Sequence, residues 1–376
     1  MFEAFYGAFK REIESVRGSF YRVGLLTFFP LLSFALVVAI FYKGIAYEMP
    51  VIAVDLDKTP LSRDLLFEVD ASATINIKYR LNNLAEAKRV IKSSKAYVLF
   101  IVPKNFSQDI YRLKQPKITV MVNTQYILIG KTLKAAFVDA LRSSAQKFKR
   151  ELFYKSSTLE DQSAAIELQV TPFFNSSKNY FYFLVSALLP SIWQIFIVIG
   201  VIVSFGTMFK AKQEREFFKG GHILAKIFGK LFLYTLAYML LGLGFIYYLY
   251  IYLGWEFQGS FGFLVIGMFC SVLAYEAAAL FLFVTSFDYA RALSLGAFYT
   301  APAFAFLGIT FPVDNMKSFA LFYRELLPIS TYIELQISQA NYGAPIGNDI
   351  GKVLNLLLFL LLFIPVYIRF KQRLSQ

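Results

Sequence analysis

From Phe183 to Phe209 the chain runs without one charged side chain, and five further stretches carry at most one: near Val23 to Tyr42, Leu231 to Leu253, Phe261 to Phe287, Ala292 to Phe311 and Val353 to Ile368. A helix needs about 20 apolar residues to cross the hydrocarbon core of a bilayer. No water there can pair an open backbone group, so such runs are read as spanning helices. The composition agrees: 57% of the 376 residues are hydrophobic and 42 are Phe, beyond ordinary soluble usage. The first run is too long for a secretory h-region and lacks a small-residue cleavage site before Lys43, so it is expected to stay as an anchor.

A net charge of +13 would suggest nucleic acid as the partner of a soluble protein. Here the basic residues crowd beside the apolar runs, where orientation signals lie. Lys10, Arg11, Arg17 and Arg22 precede the first; Lys210, Lys212, Arg215, Lys219, Lys226 and Lys230 separate the second from the third; Arg369, Lys371 and Arg373 follow the last. Six spans put all three groups on one side, which the positive-inside rule makes cytoplasmic, with both termini there. No nucleic-acid partner is expected.

The expected architecture is an α-helical polytopic membrane protein of six transmembrane helices with an inserted α/β extracytoplasmic domain. Residues 1–20 form a cytoplasmic amphipathic helix, 21–43 the first span, 44–179 the outer domain and 180–376 the remaining spans. A cytoplasmic loop covers 210–230 and an outer segment 312–351. In the N-terminal helix Phe2, Phe5, Phe9, Ile13 and Val16 share one face, while Lys10, Arg11, Glu12, Glu14 and Arg17 occupy the rest. It fits either an interfacial helix or a solvated helix end. In the outer domain strand-like runs (51–54, 74–79, 96–102, 118–122) alternate with helix-like ones (61–69, 84–91, 106–113). Asn83 and Glu86 suggest a capping box, and Leu133, Phe137, Leu141, Ala145, Phe148 and Leu152 form a stripe on a long helix. The segment 312–351 fits a re-entrant dip or a surface amphipathic helix.

Two motifs suggest phosphate chemistry. Asp55-Leu56-Asp57-Lys58-Thr59 after an apolar strand matches the opening of haloacid-dehalogenase-type phosphatases, whose first carboxylate attacks phosphorus and whose second moves the proton. That chemistry also needs a downstream acidic pair for Mg²⁺. Glu160-Asp161 follows no apolar strand, so a strand end and turn closed by Pro60 is the competing explanation. Gly130-Lys131-Thr132 has the ending of a P-loop, but Gln125 stands where its first glycine is needed, so ATP is not expected to bind this chain. Cys270 is the sole cysteine and His222 the sole histidine, which excludes a disulfide within the chain and Cys- or His-based metal clusters. Glu276, in the fourth apolar run, is an ionisable group at membrane depth, a functional candidate by default. A structural hydrogen bond to a neighbouring helix accounts for it equally. Gln194 in the second run is a weaker case.

Taken in order, these features resemble the ABC-2 family of transporter permeases, in particular bacterial efflux-type members with a large domain between the first two spans. The likeness is carried by Val51 to Val54 with Asp55-x-Asp57 and Leu61-Ser62-Arg63, by Pro103-Lys104-Asn105-Phe106, by Asn123, and by Leu189-Pro190. It continues through Glu214-Arg215-Glu216, Phe311-Pro312 with Asn315-Met316, Leu327-Pro328 and Thr331-Tyr332. Two positions depart from the family pattern: Phe217-Phe218-Lys219-Gly220 stands where Gly-Thr is usual, and Thr171-Pro172 where Asn-Pro is usual.

The resemblance implies a permease subunit of an ATP-binding-cassette exporter in the bacterial inner membrane. It would move an amphipathic or hydrophobic substrate outward and work as a homo- or heterodimer with a second permease chain among membrane lipids. ATP and Mg would be bound by a partner ABC ATPase subunit, coupled through Glu214, Arg215 and Glu216, with a periplasmic adaptor protein as a further partner. The competing class is a non-transport membrane sensor or assembly factor whose outer domain binds a ligand or partner. A third reading, enzymatic, rests on the Asp55-x-Asp57-x-Thr59 motif and predicts phosphatase activity that is lost in Asp55→Asn.

Overall fold

Prolines set where the apolar helices break. The computed structural model describes residues 1–42, 47–93, 95–112, 114–123, 127–155, 180–309 and 311–375; Gln125, Glu160-Asp161 and Thr171-Pro172 lie outside them. The chain divides into one unit of residues 1–42 with 172–376, and a second of residues 43–171. The first unit begins with α1 (Phe2–Arg17), α2 (Phe20–Leu26) and α3 (Phe28–Phe41). Helices α2 and α3 meet at a 43° bend at Thr27. Pro30 is the cause: it has no N–H for the carbonyl of Leu26, and its ring crowds that carbonyl.

The second unit contains β1 (Met49–Asp55), α4 (Pro60–Asp70), β2 (Ile75–Leu81), α5 (Leu84–Lys92), β3 (Val98–Val102), α6 (Phe106–Tyr111), β4 (Thr119–Val122) and α7 (Ile127–Lys155). The strands form one sheet in the order β2-β1-β3-β4, the first three parallel and β4 antiparallel to β3. Two separate cores cover its faces. Val51, Ala53, Val98 and Phe100 pack with Leu65, Val69, Leu133 and Phe137 on one, and Ile52, Val54 and Leu99 with Ala87 on the other. A central strand buried on both faces reads as the continuous apolar run Val51–Val54.

Within this unit the phosphatase-like motif is a turn. The Asp55 carboxylate accepts the N–H groups of Asp57 and Lys58, both at 3.0 Å, and the Ser62 hydroxyl at 2.7 Å. Asp57 accepts the hydroxyls of Thr59 and Ser107, each at 2.6 Å. Burial alone would raise the Asp57 carboxyl, but the Ser107 and Thr59 hydrogen bonds bring it below its ordinary value. Both acids are thus occupied in closing the loop that starts α4. Thr59 and Ser62 form the reciprocal capping box there, whereas Asn83 caps α5 through Ala85 N alone, without Glu86. Asp55→Ala is expected to cost this unit roughly 1–3 kcal/mol, by stranding the donors it accepts. Faster amide exchange at Asp57 and Lys58 measures it. Gly130-Lys131-Thr132 lies inside α7, not in a loop before a helix, and Gly130 lets α7 pack on β4, where a Cβ would stand 3.2 Å from Val122. On the same helix Leu133, Phe137 and Phe148 are buried as read from the sequence, but Ser144 is buried and Ala145 exposed; the side chain of Leu152 lies outside the described residues.

The first unit resumes with α8 (Tyr180–Lys210), α9 (Glu214–Phe218), α10 (Ile223–Ile246), α11 (Phe261–Val284), α12 (Tyr289–Thr300), α13 (Ser318–Glu325), α14 (Pro328–Ile337), α15 (Ile346–Leu358) and α16 (Phe363–Ser375). Among the described residues four helices are long and apolar enough to cross a membrane: 181–210, 223–252, 261–284 and 346–375. The bent α2–α3 pair makes up to five. The fifth apolar run differs from the single helix expected. Helix α12 stops at Thr300 and the chain continues as a 3₁₀ turn, Ala301–Phe306, because Pro302 has no N–H to bond the Phe298 carbonyl and carry the α ladder on. A 3₁₀ turn, Phe359–Leu362, likewise precedes Pro365 in the last run.

The segment between the fifth and sixth runs repairs these breaks. Pro190 inside α8 frees the carbonyl of Ser186, which accepts Gln336 Nε2 of α14 at 2.9 Å. Pro302 frees the carbonyl of Phe298, which accepts the Tyr323 hydroxyl of α13 at 3.3 Å. Helix α14 is buried nearly all round, unlike a surface helix, while α13 leaves Phe319 and Phe322 exposed.

Candidate functional site

Glu12 stands in the middle of a helix that looks amphipathic by sequence, on its charged arc, yet it is 2% exposed. Helix α1 lies along α10 in contact deep enough that a Cβ on Gly229 would overlap the backbone carbonyl of Phe5. A small residue at the crossing lets the backbones meet. Phe5 and Phe9 then close on Phe232, with ring centroids 5.6 and 5.3 Å apart. That approach buries Ala8, Glu12 and Val16, spaced i, i+4, i+8.

The Glu12 carboxylate is fully engaged. Oε1 accepts the Tyr234 and Ser204 hydroxyls, each at 2.8 Å, and Oε2 accepts Lys230 Nζ. Arg22 Nη1 stands 3.7 Å from Oε1, and that guanidinium also donates to Ser15, at 2.7 Å, and to Thr207. Burial by itself would raise the Glu12 carboxyl, but the Lys230 cation, the Ser204 hydroxyl and Arg22 hold it below the ordinary carboxylate value. Lys230 also sits over the rings of Phe205 and Phe217, at 5.4 and 5.5 Å. One ion cluster therefore ties α1 to α8, α10 and, through Phe217, the 210–230 loop.

The loop is tightly shaped. Lys212 and His222 take left-handed φ values of 54°, and Gly220 and Gly221 have φ of 83° and 78°. Phe217 and Phe218 are buried, the latter 5.3 Å from Phe370. Lys226 Nζ donates to the carbonyls of Phe217 at 2.9 Å and Lys219 at 2.6 Å, pinning the loop to α10. Of the predicted trio, Arg215 and Glu216 are exposed, while Glu214 is half-buried with Oε2 enclosed and without a hydrogen-bond partner. The three do not pair with one another. Glu216 lines a polar cavity of about 440 Å³ between α1 and the loop, with Glu3, Arg11, Lys219 and Lys226.

Deeper in the helices, Glu276 of α11 is 1% exposed and accepts the Thr235 hydroxyl of α10 at 2.8 and 3.0 Å. Thr235 follows Tyr234, the donor to Glu12. One turn further on, Tyr238 donates to the Phe196 carbonyl of α8 at 2.7 Å, and its own carbonyl accepts Trp193 Nε1 at 2.9 Å. Helix α10 thus carries a polar ladder joining α1, α8 and α11. Gln194 is fully buried on α8 with neither amide atom hydrogen-bonded, and the structure does not bring it to Glu276.

Sequence reasoning picked out Glu276 and missed Glu12 and Lys230. Lys230 was counted as a membrane-flanking charge because the apolar run was started at Leu231, whereas α10 begins at Ile223. The signal lay in the i, i+4 series Ala8, Glu12, Val16. Among the described residues no cluster of His, Cys, Asp or Glu could hold a metal ion.

A comparison with curated proteins returned no match, and neither did one with solved structures. The profile described as ABC-2 family transporter protein matches residues 23–370. The match reaches into both units and into all four long apolar helices among the described residues, so the chain is a multi-pass membrane protein. It belongs to the ABC-2 family of transporter proteins, the membrane components of ABC transporters that work with an ABC ATPase subunit.

Proposed function

We propose that this chain is the permease half of an exporter in a bacterial inner membrane, paired with a second permease chain and driven by ATPase subunits that dock on the 210–230 loop and α1. The observation that carries this reading is the Glu12–Lys230–Phe217 junction, which makes α1, the loop and the ends of α8 and α10 one mechanical piece. A push on Glu214, Arg215, Glu216 or the adjoining polar cavity reaches α8 and α10 through buried contacts, not through a hinge. The ladder on α10 continues that path to Glu276.

Six crossings suit this role. The fifth run, with 12 α and 6 3₁₀ residues, rises about 30 Å, the thickness of the hydrocarbon core. Even parity sets both termini and the basic loop in the cytoplasm and the domain of 44–179 outside, where an adaptor would meet it. The cargo is amphipathic or hydrophobic. ATP and Mg belong to the partner. Mild-detergent purification from native membranes is the test. A co-purifying ABC ATPase is expected, and a preparation that never contains one would overturn the reading.

A further inference from the structure

We propose that the groove between α3 and α10 is a lipid site that holds one acyl chain of a phospholipid from the surrounding bilayer. Both helices lean on α8, and their gap leaves a cavity of about 670 Å³ floored by Leu189, Phe34 and Phe245. Phe34 and Phe245 meet edge to face at 6.0 Å, which closes the floor. Leu31 and Leu240, at 55% and 62% exposure, form the rims. The bend at Thr27 opens one end, and the Thr27 hydroxyl is already committed to the Val23 carbonyl at 2.8 Å, so that end offers no free donor.

The dimensions select the occupant. The lining runs from Leu26 at the end of α2, across the bend, to Ala39 of α3, and from Ala237 of α10 to Tyr248 just past its end, roughly 17–20 Å by helical rise. That is more than half the hydrocarbon thickness of about 30 Å. A helix is about 10 Å across; a single hydrocarbon chain is slimmer and matches a groove of this length. The groove is continuous with the exposed apolar surface of α3 at Leu36 and Ile40, so in a membrane it opens on acyl chains at full bilayer density. An empty apolar groove there would forfeit dispersion contacts along its whole lining.

The inference rests on the chain being a membrane protein and not on the ATPase, so its failure leaves the exporter reading standing. The chain has two tryptophans; Trp255→Phe leaves Trp193, fully buried, with its ring 6.0 Å from Phe245. This variant is placed in vesicles of phosphatidylcholine whose acyl chains carry mid-chain bromines, and in unbrominated vesicles. An occupied groove brings bromine to the far side of Phe245, so Trp193 emission is expected to fall in brominated vesicles. Adding Gly244→Phe should restore it, because a Cβ at Gly244 meets nothing within 4 Å and the ring fills the groove. Ala237→Leu, a smaller filling at the other end, should restore it in part. Equal emission in both vesicles, or quenching that neither filling variant relieves, would overturn the proposal.

Discussion

Glu12→Ala is expected to be the most damaging single change in the membrane unit, costing about 3–5 kcal/mol, because it leaves the Lys230 cation buried at 3% exposure with its counter-charge removed. The hydroxyls of Ser204 and Tyr234 lose their acceptor in the same step. The pair itself is not the source of that figure. Desolvating two charges offsets most of their attraction, and apolar replacements of similar volume are often neutral. The double variant Glu12→Leu with Lys230→Met should therefore regain much of the lost stability. Thermal unfolding of the detergent-solubilised chain, compared across the three proteins, checks both statements. The carboxyl of Glu12 is depressed in the folded state, so its contribution is complete above the ordinary carboxylate range near pH 4.3. It is lost only as pH falls further, through the lowered folded value.

The second large effect is steric. Gly229→Val puts a side chain where the Phe5 carbonyl now lies, and backbone does not rotate aside as a flexible side chain would. Helix α1 must lift from α10, separating Phe5 and Phe9 from Phe232 and pulling Glu12 from Lys230, a loss of about 1–3 kcal/mol or more. Gly244→Ala on the same helix is the matched control. Its added methyl meets open space, and Gly to Ala inside a helix is otherwise favourable by roughly 0.5–1 kcal/mol. Limited proteolysis at Lys10 and Arg11 reads the difference: cleavage accelerates at Gly229→Val and stays unchanged at Gly244→Ala.

Hydropathy made the long helices legible, because an apolar run with few charges has few folds open to it. Period-two and period-3.6 patterns likewise revealed the strands and helices of the second unit. The breaks were harder to read. Pro190 and Pro302 have the same local chemistry, yet one sits inside an unbroken helix whose freed carbonyl is met by Gln336, while at the other the chain turns to 3₁₀. That difference depends on partners about 150 residues away in the first case. The ion cluster was hidden for a related reason. Glu12 looks like a solvated charge until Gly229 allows α1 to press its polar edge against α10, and the local series Ala8, Glu12, Val16 hints at a buried stripe without naming its partner. The Asp-x-Asp-x-Thr motif shows the converse, a strong local signal with a local explanation, since both carboxylates are consumed by their own turn.

ATP hydrolysis by the partner ATPase, measured in reconstituted vesicles with and without this chain, is the most direct test of the claim that force enters at residues 210–230. The wild-type chain is expected to stimulate hydrolysis. The reversal Glu214→Lys, Arg215→Glu and Glu216→Lys is expected to insert normally and to lose that stimulation. Stimulation undiminished by the three reversals would contradict the coupling role assigned to this loop.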